Sequence, residues 1–435
     1  IPQLAALLRS GQLTSVELTE LYLDRLERFD TLEAVITLTT EMALEHAERA
    51  DEELAAGTDR GPLHGIPYGV KDLMAVPNYP TTWGAMPYKD QQIGYTASVV
   101  EQLEAAGAVL VAKLTSGALA RGDVWFGGAT KNPWDLEQGA SGSSAGSGSA
   151  TAAGLVAFAI GTETLGSIVS PSTRCGVTGL RPTYGRVSRY GTMSLSWSMD
   201  KIGPIARSAE DCAIVFDAIR GEDLRDPTLL EAPFAYEGKL DWSSLKIGYL
   251  KDQFENDSSD NSVNNDTTLV VLEGLGAELV AIQTPEGVPY DVFDIILRAE
   301  AGAFFDELVR SHGDRDMVQQ NKRSRANSLR QSRFIPAVEY LQANRHRRVL
   351  IEKMDDIFEE VDVLVSPTFG GRQLVITNLT GHPAISVPNG FDEDGHPTSF
   401  TIVGQLFDEA TILGLAESYQ AATSYHQERP RLFLE

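Results

Sequence analysis

Cysteine is nearly absent, with Cys175 and Cys212 the only two in 435 residues. Two cysteines cannot build the disulfide framework of a small secreted domain, and no group of His and Cys has zinc-ligand spacing, so neither a metal nor another cofactor is expected. Positive charge is also scarce: 36 Lys and Arg stand against 61 Asp and Glu, a net charge of −25. Such a surface repels polyanions, which argues against nucleic acid or an anionic membrane as a partner. Long hydrophobic runs are missing too. No apolar stretch reaches the roughly 18 residues of a membrane span, and the opening IPQLAALLRSGQL lacks the basic segment and long apolar run of a signal peptide. A cytoplasmic protein with reduced thiols is the expectation, although a sequence that opens on Ile1 rather than Met is compatible with a removed leader.

What is present is an alternation of helix and strand signals. TSVE at Thr14 to Glu17 reads as a capping box, and Leu18, Leu21, Tyr22, Leu26 and Phe29 then recur at helical spacing, predicting one apolar stripe on the core. A second amphipathic pattern from Thr96 to Ala106 stops at Gly107, and AVLVA at Ala108 to Ala112 follows as a buried strand. Similar short apolar runs lie at Leu155 to Ile160, Lys246 to Leu250, Leu279 to Ile282, Val361 to Ser366 and Phe400 to Gly404. A capping pattern at Ser208 to Asp211 opens another helix, and the segment 290–360 reads as mostly helical and rich in Arg. The alternation predicts an α/β fold. Two stretches have linker composition, NDSSDNSVNND at Asn256 to Asp266 and SGSSAGSGS at Ser141 to Ser149.

Composition alone leaves SGSSAGSGS open between a flexible linker and a functional loop. Its surroundings favour the loop, because TAAGLVAFAIGTETLGSIVS follows directly, with a buried strand and a second Gly-rich turn. Glycine there permits positive φ and lets successive backbone N–H groups face one concavity, where a phosphate or the oxyanion of a reacting carbonyl binds. A P-loop needs Gly-Lys followed by Ser or Thr, and neither this stretch nor GTETLGS at Gly161 to Ser167 has that lysine. GSSAG at Gly142 to Gly146 fits a nucleophile elbow with Ser144 as nucleophile, but KNPWDLEQGA before it shows no strand pattern. The remaining acyl-transfer nucleophile is Ser167, with the N–H groups of Thr164, Leu165, Gly166 and Ser167 placed to face an oxyanion. A serine nucleophile needs a base, and GPLHGIPYGVKDL at Gly61 to Leu73 supplies Lys71, whose other reading is a surface charge or a salt bridge with Asp72.

Taken together, GPLHGIPYGVKDL, NPWD at Asn132 to Asp135, SGSSAG, GTETLGS and CGVTGLRPTYGRVS at Cys175 to Ser188 resemble, in order and spacing, the amidase signature family. The likeness is strongest from Gly61 to Pro204, weaker in the N-terminal helix, in GHPAISVP at Gly381 to Pro388 and in VGQLFDEATIL at Val403 to Leu413, and thin between about Asp217 and Glu360. It implies a single α/β/α domain over 1–435 with a large twisted mixed sheet, its core motifs at 61–204, a helical variable region at 290–360 and the rest of the core at 361–435. It also implies a Ser-Ser-Lys triad of Lys71, Ser143 and the nucleophile Ser167, with a cis peptide bond between Gly142 and Ser143. In that chemistry a neutral Lys71 accepts a proton from Ser143, Ser143 takes one from Ser167, and an acyl-enzyme forms on Ser167. The pKa of Lys71 must then lie well below the ordinary lysine value of about 10.4.

Departures from the family pattern bear on the substrate. Leu165 and Ala145 stand where Gly is common, and Val169 where Arg is common, which gives a bulkier, less basic floor and removes one partner of an acidic substrate group. LTSGALARGDVWFGGATK, between Lys113 and Asn132, departs from the glutamyl-tRNA amidotransferase subunits of the family. The expectation is therefore a free-standing hydrolase of a small-molecule substrate, an aryl or otherwise bulky amide, anilide, carbamate or ester, for which a homodimer is a compatible assembly. The alternatives are an inactive scaffold and an amidotransferase subunit. Trp125, Phe126, Tyr184, Tyr190 and Trp197 are placed to line an apolar pocket, with core packing as their other reading. SPTFGGRQLVITNLTGHP at Ser366 to Pro383 looks shorter than the family's connection around 369–376, which alters the substrate entrance. His64 and Cys175 read as structural.

Overall fold

The computed structural model describes residues 1–257, 259, 261–369 and 371–434. Among these, eleven strands join in one mixed sheet. In chain order they are β1 (Val35–Leu38), β2 (Pro67–Lys71), β3 (Val109–Leu114), β4 (Phe158–Glu163), β5 (Thr178–Arg181), β6 (Lys201–Ala206), β7 (Lys246–Leu250), β8 (Glu278–Ile282), β9 (Val363–Pro367), β10 (Ala384–Phe391) and β11 (Pro397–Gly404). Across the sheet the order is β1-β3-β2-β4-β6-β5-β10-β11-β9-β7-β8. The pairs β2/β3, β2/β4, β7/β8 and β7/β9 are parallel, and the other neighbours run antiparallel.

Both faces of the central strands are buried, which explains their near-continuous apolar runs. On β3, Val109 and Val111 pack with Leu26, Ala43, Ala47 and Ala150, whereas Leu110 joins Leu18, Tyr68, Phe158 and Phe216. On β4 the split repeats, with Ala159 on the first side and Phe158 and Ile160 on the second. Alternating residues thus serve two cores, and helices cover the sheet on both sides. Helix α1 (Ser15–Arg28) begins with the expected box: Thr14 Oγ1 accepts from Glu17 N at 3.1 Å, and Glu17 Oε2 accepts from Thr14 N at 2.9 Å. Its inward stripe is Leu18, Leu23 and Leu26, while Leu21 faces solvent.

Several expectations need correction. The serine stretch is not a loop throughout, because helix α2 (Ala145–Ala152) starts inside it and all eight of its residues are buried. Small side chains are what such a tightly packed helix requires, and low helix propensity concealed it. At Gly146 a Cβ would lie 2.4 Å from the Ala34 carbonyl oxygen and from Thr115 N, and at Gly142 one would lie 1.9 Å from the Gly122 oxygen. Leu155 to Ala157 form the turn into β4, so that strand begins at Phe158. Asp135–Gly139, inside the segment read as lacking strand pattern, pairs with Lys131–Asn132 in a small separate hairpin. The other linker candidate, Asn256 to Asp266, runs into a helix at Ser262–Gly274; Ser258 and Asp260 lie outside the described residues.

The helices nearest the site are α3 (Val169–Cys175), α4 (Asp294–Phe304), α5 (Arg325–Ser332), α6 (Ala337–Glu360) and α7 (Gln373–Thr380). The mostly helical reading of 290–360 agrees with α4 to α6, and α7 starts three residues after Gly370, which is not described. In β6, a Cβ on Gly203 would sit 2.1 Å from the Leu180 carbonyl oxygen of β5, an atom fixed in the sheet. Gly203→Ala is therefore expected to cost about 2–3 kcal/mol, seen as a lower urea midpoint with an unchanged slope; an unchanged midpoint would show that the strands separate freely there.

Candidate active site

The ends of β2 and β4 lie side by side in parallel register, Val70 opposite Ile160, and this brings Lys71 beside Thr162. The side chain of Lys71 is wholly buried. Its Nζ lies 2.7 Å from Ser143 Oγ, 2.9 Å from Thr162 Oγ1, 3.0 Å from Ser144 Oγ and 3.5 Å from the Thr162 carbonyl oxygen. Among the described residues no carboxylate stands within ion-pair distance of it. Asp72, the sequence neighbour read as its salt-bridge partner, turns the other way: its Oδ1 is 2.7 Å from Lys113 Nζ, and its Oδ2 accepts from Thr82 N at 2.8 Å. Burial holds the pKa of Lys71 well below the lysine value, against a smaller upward pull from Asp200 and Glu163.

Ser143 follows a cis peptide bond from Gly142 and is 1% exposed. Ser144 is completely buried; its hydroxyl donates to the Thr162 oxygen at 3.1 Å and accepts from Thr162 N at 3.2 Å. It therefore braces β4 against α2 and offers no exposed nucleophile. Ser144 N also donates to the Ser167 oxygen at 3.2 Å, so the paired serines abut the backbone of Ser167. Ser167 itself is half-buried, and its hydroxyl has no partner among the described residues.

The turn from Thr164 to Ser167 is held at both ends by acids, Asp200 partly buried and Glu163 fully buried. Thr164 Oγ1 donates to Asp200 Oδ1 at 2.5 Å, and Asp200 Oδ2 also accepts from Leu195 N and Ser196 N at 2.7 and 2.8 Å. Glu163 Oε2 accepts from Ile168 N and Val169 N at 2.8 and 2.9 Å, while its Oε1 accepts from Arg181 Nη1 at 2.9 Å and Asn378 Nδ2 at 2.7 Å. Burial would raise the Glu163 pKa, but the Arg181 charge and these hydrogen bonds hold it down to about 2. Gly166 takes φ +94°, a conformation that favours glycine. None of the N–H groups from Thr164 to Ser167 donates to an acceptor among the described residues, in contrast to those of Ile168 and Val169.

Beside this turn is a cavity of about 210 Å³, lined by Thr162, Thr164, Leu73, Ile202, Tyr190 and Trp197 among others. It includes Tyr190 and Trp197 of the expected aromatic set. Tyr184 instead braces the loop, its Oη donating to the Trp197 oxygen at 2.7 Å. Trp125 and Phe126 do not line this cavity. They sit on a tight hairpin, Val124–Trp125 against Gly128–Ala129, and pack edge-to-face on each other at 4.9 Å. The indole folds back over Gly127, where a Cβ would be 2.3 Å from the Trp125 ring. Leu165, 39% exposed, lines a different hollow with Tyr290 and Phe293. The sequence reading missed Glu163, Asp200, Arg181 and Asn378. The signal available was an acid and an arginine inside two otherwise apolar central strands, a pattern that demands a partner for each.

No three His, Cys, Asp or Glu side chains are grouped to hold a metal ion among the described residues, and no helix there is long and apolar enough to cross a membrane. A mixed sheet covered on both faces, with a desolvated lysine enclosed by serine and threonine hydroxyls, defines an α/β enzyme of the hydrolase type. The family model described as Amidase matches residues 17–374, and the chain belongs to the amidase signature family. It is 36% identical to a glutamyl-tRNA(Gln) amidotransferase subunit of Chromohalobacter salexigens over 481 aligned positions, covering 99% of this chain and 98% of the relative. Since that alignment is longer than the chain, the relative carries segments that this protein lacks. The peptide amidase of Stenotrophomonas maltophilia superposes with a TM-score of 0.89 at 28% identity, covering all of this chain and 98% of the other. A bacterial aryl acylamidase of the same family shares the fold, with a TM-score of 0.83 at 23% identity over 97% of this chain and 96% of the other.

Glu163→Gln keeps the shape of the clamp and removes its charge, leaving Arg181 buried without a counter-ion. A loss of about 3 kcal/mol is expected at pH 7. The sign follows from the depressed pKa of about 2, against about 4.3 in the unfolded chain: the charged clamp stabilises fully above the unfolded value and less as pH falls toward the folded one. The gap in urea midpoint between wild type and Glu163→Gln should therefore narrow from pH 5 to pH 3, and a constant gap would contradict the assignment.

Proposed function

We propose that the chain is an amidohydrolase that cleaves a carbon–nitrogen bond of an amide, anilide or carbamate through an acyl-enzyme on Ser167. The observation that carries this reading is the hydrogen-bond arithmetic around Lys71. With Lys71 neutral, the state its burial favours, the amine has two N–H donors and one lone pair. The Ser144 hydroxyl gives its only proton to the Thr162 oxygen, so toward Lys71 it acts as acceptor. The Thr162 oxygens take the second N–H, and the lone pair is left for the hydroxyl proton of Ser143 at 2.7 Å.

From there the chemistry balances. The Ser143 proton moves to Lys71 as the Ser167 proton moves to Ser143, and Ser167 Oγ bonds to the substrate carbonyl carbon. The oxygen of the tetrahedral intermediate gains negative charge beside the N–H groups of Thr164 to Ser167, which have no acceptor within the described protein. When the carbon–nitrogen bond breaks, Ser143 delivers a proton to the leaving nitrogen and recovers one from Lys71. Water then attacks the ester by the same relay, releasing an acid and restoring Ser167. Tyr190 and Trp197 supply apolar walls for a bulky or aryl group. Esters fit the same acyl-enzyme route.

A second reading is supported by the 36% identity to an amidotransferase chain over nearly the whole length. In that case the acyl donor is glutamine and the released ammonia is passed on. The two are separated by comparing ammonia release from glutamine with arylamine release from anilides and aryl carbamates.

Wild type is expected to turn over the anilides, Ser167→Ala to lose about a thousandfold or more in kcat, and Ser144→Ala to retain an acylation step. Equal rates for wild type and Ser167→Ala would remove Ser167 as nucleophile. Because only neutral Lys71 accepts a proton and burial lowers its pKa, the acylation rate should rise with pH and level off well below pH 10.5. A profile that falls across that range would exclude Lys71 as the base.

A further inference from the structure

The cavity beside the Ser167 turn does not end at Trp197. An open groove of about 410 Å³ lies beyond it, and Trp197 lines both. Ala299, Gly302 and Ala303 of α4 form one side of the groove, with Ile335, Ala337 and Tyr340 opposite, where α5 passes into α6. Its charged lining residues, Asp306 and Arg333, are paired with each other. The groove therefore offers apolar surface and no free charge.

The loop that carries Trp197 is fixed along its backbone while Trp197 itself stays 45% exposed. Trp197 O accepts from Tyr184 Oη and Arg189 Nη1, both at 2.7 Å. Glu300, fully buried on α4, accepts from Ser196 Oγ at 2.5 Å and Ser198 Oγ at 2.8 Å. Arg347 of α6 donates to Ser198 Oγ and to the Ser198 oxygen, both at 2.8 Å. The helices that enclose the groove thus also set the position of the indole at the edge of the cavity.

We infer that this groove is an outer subsite of the same active site, taking the apolar tail of an elongated neutral amide, with Trp197 as the wall between tail and reacting end. The inference rests on the amidohydrolase reading for its chemistry and on continuity through Trp197 for its location. Two substrate series test it: p-nitroanilides of straight-chain acids from about two to ten carbons, and acetanilides with para-alkyl groups of increasing length. In wild type at least one series should show kcat/KM rising on the order of threefold per methylene that enters the groove. Ala303→Trp, a change at an exposed helix position, should flatten that rise and lower the ratio of long to short substrate. In parallel, calorimetry with Ser167→Ala compares binding of octanamide and acetamide, with and without Ala303→Trp. A tail preference that Ala303→Trp removes, in a protein that turns over no substrate, would overturn the amidohydrolase reading and leave the subsite standing. Chain-length dependence and octanamide preference that are both absent, or both indifferent to Ala303→Trp, would overturn the subsite. So would a dimer that is dissociated by Phe334→Asp, at the 85% exposed residue between the groove-lining Arg333 and Ile335, with no change in chain-length dependence, since the groove would then belong to a contact with a second copy.

Discussion

The site depends on a single buried carboxylate. Glu163 closes β4, and its two oxygens reach the start of α3, Arg181 on β5 and Asn378 on α7. Each partner comes from a different stretch of chain, so the turn that presents Ser167 is defined by what Glu163 holds rather than by its own few residues. An acid in so dry a place is tolerated because every lone pair that matters is met by a donor and one donor carries full charge. The arrangement leaves Ile168 and Val169 with their N–H groups occupied, while the four residues before them have no acceptor among the described residues. A boundary between structural and available donors therefore falls at the end of the turn.

Two lysines in the same neighbourhood show how environment assigns roles to identical side chains. Lys113 and Lys71 are both buried at the ends of adjacent parallel strands. Lys113 faces Asp72 and so completes an ion pair, while Lys71 faces only hydroxyls and carbonyl oxygen. The consecutive pair Lys71-Asp72 achieves the separation through the alternation of a strand end, which sends neighbouring side chains to opposite sides.

Much of this was legible in the amino-acid sequence where physics is local. The capping box at Thr14, the stop at Gly107 and the β-branched run of β3 depend on residues close together in the chain, and each appears within a residue or two of its expected place. The motifs around Lys71, Ser143 and Ser167 pointed to one site because they share a family pattern, and the chain brings Lys71 and the paired serines into contact. Illegible were features in which distant segments meet. Helix α2 was hidden because close packing demanded residues of poor helix propensity. Trp125 and Phe126 pack on each other on a hairpin outside the cavity lined by Tyr190 and Trp197, since nearness in sequence to a motif does not fix the direction of a hairpin. Asn378 gave no sign of its partner 215 residues earlier.

That last separation has a meaning for how the molecule comes into being. The clamp on the Ser167 turn needs Asn378, and Thr173 at the far end of α3 bonds to Ser399, 226 residues later. During synthesis from the N-terminus, Lys71 and the serines emerge long before the segments that fasten them. A growing chain stalled in the helical region would carry all three side chains yet lack part of the frame that orients the turn. The frame of the turn is thus completed late in translation, a consequence of sheet order that places β10 against β5, with β11 beyond it, in the middle of the sheet.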